Sequence, residues 1–199
     1  AEEFSALAPS VFAAVKPAFM AGLSSSQIGA LSSGGISGLS SASVAALTTA
    51  QFYALKSEDM QGLNYIQIAA LRNDQLAVLR TGQIDALKTN QVAALTTSQI
   101  PSLTEEQIKA LKTSTISFMK LGQIAALTDA QVTALTTGQI FAMTGGQLSG
   151  LTNIQIAALQ SQQIAAIDTD IQSMKASQIA AFSTDQIRAL GTGQIAVLT

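Results

Sequence analysis

Residues Gln123–Gly146 read QIAALTDA, QVTALTTG, QIFAMTGG: one eight-residue phrase written three times. A large aliphatic residue (Ile124, Val132, Ile140) is followed three positions later by a second (Leu127, Leu135, Met143), and each phrase opens on Gln. With the first aliphatic counted as position 1, that position falls at Phe4, Phe12, Met20 and Ile28, then at every eighth residue to Ile164. One residue is missing before Ile171, and the series resumes through Ile179, Ile187 and Ile195. Such periodicity is the signature of a stacked repeat architecture. Twenty-five phrases fill the chain, so a single solenoid over 1–199 is expected, with divergent repeats at 1–23 and a register break at 168–171.

Spacing by three, with a small residue before the second aliphatic, suits one face of a helix rather than a strand. A continuous helix fails, because eight residues turn ~800° and the apolar stripe would drift ~80° per phrase. The helix must therefore break once per phrase. Charge placement locates the break. Eight of the ten basic residues stand at position 5, among them Arg72, Arg80, Lys88 and Lys120, and nine of the twelve acidic ones at positions 5 to 8. Cations at a helix end and anions in the next first turn follow the helix dipole.

Elsewhere position 5 is often Ser or Thr, as at Thr104, Thr128 and Thr136. With Gln at position 8 this spells a capping box. Pro9 and Pro17 sit at position 6, the first helical residue, where Pro is tolerated. The expected fold is therefore all-α, a superhelix of about 25 helices of six or seven residues each. A β-solenoid with Thr ladders is the rival, opposed by the Ala, Leu and Gln content and the cap placement. Pro101 and the glycines at position 7 disturb a regular helix, so some segments should be single turns or 3₁₀.

Helices this short are unstable alone and must stack. Two per coil need 16 residues and three need 24. Every third phrase carries a polar residue at position 2 (Ser37, Gln61, Asp85, Lys109, Thr133), which points to three without deciding it. The recurrent Gln has two structural readings: it reciprocates the cap, or stacked Gln side chains bond between coils and lock their register.

Composition limits the chemistry. Hydrophobic residues make up 48% and charged residues 11%, with net charge −2, so no electrostatic case exists for a nucleic-acid partner. With no Cys, His or Trp, disulfides, imidazole or thiolate metal sites and Ser-His or Cys-His catalysis are excluded. No apolar run reaches the ~18 residues of a membrane span. The acidic pairs Glu58-Asp59, Glu105-Glu106 and Asp168/Asp170 read as first-turn helix charges rather than acid-base or calcium sites. No enzyme, cofactor or metal is expected.

Phe4, Phe12 and Phe19 concentrate three of the seven Phe in the first three repeats. They read as a terminal cap or, alternatively, as an assembly surface for a neighbouring subunit. Tyr53, Tyr65 and Phe141 are candidate exposed aromatics. Ala1-Glu2-Glu3 at the start suits cleavage after a signal peptide, and Leu198-Thr199 stops in mid-phrase, which suits either a longer chain or a partner over that end.

The phrase Leu-Thr-Thr-x-Gln-Ile-x-Ala is complete at Leu135–Ala142, and Leu95–Ser102 departs only in ending Pro101-Ser102. It resembles short-repeat tracts of large exported proteobacterial surface proteins. The resemblance implies a secreted or cell-surface structural role and carries no functional residues across. The expected function is therefore a structural repeat protein that builds an extracellular filament, sheath or surface layer by self-association or by continuation in a longer chain. An adhesin stalk or ligand-binding repeat module is the alternative.

Overall fold

A computed structural model describes residues 8–198. They form short helices of three to seven residues, three of them 3₁₀, and no strand occurs among the described residues. The chain divides into two compact units between Leu103 and Thr104.

In the first unit Pro9–Ala13 packs on Ser33–Gly38, Pro17–Gly22 on Ser41–Ala46, and Ser25–Ile28 on Thr49–Ala54. In the second, Glu105–Ala110 packs on Asp129–Ala134, which packs in turn on Asn153–Ala158. Each partner lies 24 positions on, so three helices close a coil, as the position 2 pattern suggested. Positions 1 and 4 fill the interior of each unit: Ile36, Leu39, Met60 and Leu63 in the first, Ile108, Leu111, Ile140 and Met143 in the second, all buried.

Most helices are shorter than the phrase allows, because position 4 has already left the helix; the exception is Thr192–Leu198, which includes its position 4. Leu135 has φ −57° and ψ 134°, and the following Thr136 has φ −72° and ψ 157°. Two successive extended residues make the corner, with the side chain of the first turned inward and buried. The second caps the next helix, and the Gln139 N–H donates to Thr136 Oγ1 at 3.1 Å. Pro9 and Pro17 begin their helices as expected. Thr104 accepts the Gln107 N–H at 3.2 Å in the same way. Thr104→Ala should cost about 1 kcal/mol in urea unfolding through loss of that cap; an unchanged midpoint would count against the assignment of corners.

Glycine plays two different roles. At position 3, Gly38 and Gly62 lie where a Cβ would come 2.2 Å from the carbonyl oxygens of Pro9 and Ser33, so the backbones of successive coils touch there. At position 7, Gly138 has no positive φ, and a Cβ would meet nothing nearer than 3.8 Å. Nothing in the structure explains that glycine. Gly138→Ala should stabilise by about 0.5 kcal/mol through helix propensity and a less flexible unfolded chain, read as a higher melting temperature.

Two irregular segments fall where the sequence placed them. Ile100–Ser102 is a 3₁₀ turn around Pro101, yet Ile100 remains buried. Thr169–Ser173, also 3₁₀, absorbs the missing residue.

Candidate functional site: corners and exposed aromatics

The polar chemistry of the molecule is concentrated at the corners. Gln139, 1% exposed, uses its whole amide. Its Oε1 accepts the Thr136 N–H at 2.8 Å, while its Nε2 donates to the carbonyls of Ile108 (2.8 Å) and Leu111 (2.7 Å). Those carbonyls belong to the C-terminal end of helix Glu105–Ala110, where the Ile108 oxygen also accepts the Leu111 N–H at 3.2 Å and the next turn's donors are missing. One side chain thus completes the start of its own helix and the end of a helix in the coil before. The two structural readings of Gln both hold, and the inter-coil bond runs to backbone carbonyls rather than to another Gln.

The same pair of acceptors, 31 and 28 residues back, recurs in both units. Gln51 reaches Met20 and Leu23, and Gln163 reaches Val132 and Leu135. Gln99 bonds to Ile68 and Leu71 at 3.0 and 2.7 Å even though Pro101 has broken its helix. The link therefore survives loss of the helix. Past the missing residue the offsets become 30 and 27: Gln178 reaches Leu148 and Leu151. The lattice of corners is kept and the count of residues changes.

Basic side chains at position 5 correct the local dipole reading. Arg72, Arg80 and Lys88 act on helix ends in the coil before, rather than on the helix they follow. Arg80 donates to the Leu55 carbonyl at 2.6 Å, Lys88 to that of Gln61 at 3.2 Å, and Arg72 to those of Ala45 and Leu47. The favourable pairing of cation with helix C-terminus is the same; its partner is 25 to 27 residues away. Arg80 also lies 5.4 Å from the centre of the Tyr53 ring.

Some acidic residues form exposed surface pairs, such as Arg72–Asp74 at 3.0 Å and Lys109–Glu106 at 2.8 Å. Hydrogen bonding from Arg72 holds the Asp74 carboxyl below its usual range, and hydrogen bonding to Glu106 raises Lys109. Such exposed pairs contribute little to stability. Among the described residues no three carboxylate, His or Cys groups converge as metal ligands, and no helix is long and apolar enough to cross a membrane.

The aromatic candidates scatter. Phe4 lies outside the described residues. Phe12 is 1% exposed, and its ring fills the space beside Gly35 that a side chain at position 8 would take. It is a core residue and is withdrawn from the assembly surface. Phe19 is exposed, as are Tyr53 and Tyr65. Phe141 is joined by Phe118, and both are 62% exposed. They stand on packed segments one coil apart, Thr113–Ile116 with the residues that follow it and Thr137–Phe141. Phe118 escaped sequence reasoning because position 3 is small in nearly every phrase, Val78 and Val197 aside; a Phe breaking that rule was the available signal. Beside Phe141 a shallow groove of about 500 Å³ is lined by Ala165, Ala166, Ile167 and Asp168.

A profile of the ALTTAQ repeat matches residues 20–57, 68–105, 77–113 and 164–199, together more than half of the chain. No curated protein matches it.

Proposed function

Because the chain belongs to the ALTTAQ repeat family, we propose that it is a structural repeat protein of the cell exterior, a building element of a filament, sheath or surface layer. The observation that carries this reading is the use of the buried Gln amides. In links such as those of Gln51, Gln139 and Gln163, every donor goes to the neighbouring coil, so the repeated polar group supports extension of a stack rather than recognition of a ligand. The low charge, 11% of residues, leaves little electrostatic repulsion between copies. Electron microscopy of the native material, with sedimentation of the purified chain at rising concentration, tests it. Polymer or ordered layer supports the proposal; a strict monomer with no polymer in the native material overturns it.

A second reading, a binding module, draws on the paired exposure of Phe118 and Phe141. Solvent-facing aromatics on adjacent coils are the composition of a recognition surface. Under that reading a double Ala variant at these positions loses a partner and keeps its assembly state, whereas under the first it leaves partner binding unaffected.

A further inference from the structure

Position 8 holds Gln in seventeen repeats, and Asp59 takes that place in the repeat that begins at Met60. The side chain is 5% exposed, and its Oδ2 is the one buried side-chain polar atom without a hydrogen-bond partner among the described residues. By the register of the other corners, the backbone acceptors set for this position are the carbonyls of Ile28 and Leu31. A Gln offers them two N–H donors; an ionised Asp offers none. In this repeat Glu58–Gly62 is 3₁₀, and Gly62 touches the Ser33 backbone of the coil beneath.

We propose that Asp59 is a proton-operated joint in the stack: protonated, it donates to the corner beneath and closes it; ionised, it leaves a buried charge there and loosens it. Charges of both signs act on it. On its own segment Lys56 favours ionisation and Glu58 opposes it, and the two face each other at 3.9 Å, both exposed. The segment packed beneath, Ser33–Gly38, carries no titratable group. In the coil that follows, the Arg80 guanidinium is committed to the Leu55 carbonyl, and Asp85 at the far end of Thr81–Asp85 adds no positive charge.

Desolvation is the largest influence on this carboxyl and raises it above its ordinary 3.8, offset in part by Lys56 and by the N–H groups of Ser33 and Lys56. The folded state therefore binds the proton more tightly than the unfolded chain. The resulting stability is full below the unfolded value and is lost as pH rises through the folded one, opposite to the usual behaviour of a paired carboxylate.

The test is thermal unfolding of the full chain and of Asp59→Asn from about pH 4 to pH 7. The melting temperature of the wild type should fall relative to that of the variant as pH rises. Amide exchange at residues 28–36, corrected for intrinsic rates, should accelerate in the wild type alone. A difference between the two proteins that stays constant with pH overturns the proposal. Should the variant fail to fold, the wild-type Asp59 carboxyl carbon can be titrated by NMR: a midpoint above 3.8 supports the joint, and one at or below that value overturns it.

Discussion

Gln139→Glu should destabilise the chain by about 3–5 kcal/mol at neutral pH, the range for stranding a charge in a buried network. The substitution keeps the shape of the side chain and the oxygen that caps Thr136, and removes both N–H donors. A carboxylate then faces the carbonyl oxygens of Ile108 and Leu111, which the native amide meets at 2.8 and 2.7 Å. Water cannot substitute, because the side chain is almost fully enclosed. Urea unfolding at neutral pH measures the loss. The sign of its pH dependence is fixed by the same geometry: burial raises the new carboxyl, so stability is present in acid and lost as pH rises through its folded value. A Gln139→Ala control, which deletes the bonds without adding charge, should cost less, about 1–3 kcal/mol. Equal losses in the two variants would mean that the amide is packing filler rather than a link.

Leu111→Asp is the second large effect. Leu111 is 4% exposed and stands at a corner, φ −62° and ψ 133°, so its side chain enters the core while its carbonyl accepts from Gln139. A carboxylate there must be buried without a partner or must pull the corner outward, breaking the bond to Gln139. Either route costs about 3 kcal/mol or more. Against a total stability of roughly 5–15 kcal/mol for a domain, the expected result is a strongly lowered melting temperature. Unchanged melting would remove position 4 from the core.

Sequence reading reached the helix class, the corner and its cap, because each rests on local chemistry: Thr136 with Gln139 is a hydrogen-bonding pair three residues apart, and Pro9 and Pro17 fit only a helix start. It reached the register break because a missing residue before Ile171 is visible as a shift of phase. Many helices are shorter than the six or seven residues expected, because Leu at position 4, apolar and periodic, looks helical although its backbone is extended at most corners. The destination of Gln139 Nε2 was open because it depends on how many residues close a coil, a non-local quantity that a uniform repeat does not encode. Arg72, Arg80 and Lys88 were assigned to the nearest helix end for the same reason, when their acceptors lie in the preceding coil. Phe12 was read as part of a terminal cap or an assembly surface because its burial depends on Gly35, twenty-three positions away, leaving room for its ring. Asp59 passed as one more first-turn acid; what set it apart was standing in the place of Gln.

The central claim is that coils of three helices are joined by Gln amides reaching back to the corner beneath. It is tested most directly by NMR of the Gln139 side-chain amide. The account predicts slow solvent exchange of both Nε2 protons and nuclear Overhauser contacts to Ile108 and Leu111, 31 and 28 residues earlier. Rapid exchange, with contacts confined to Thr136 and other sequence neighbours, would contradict it.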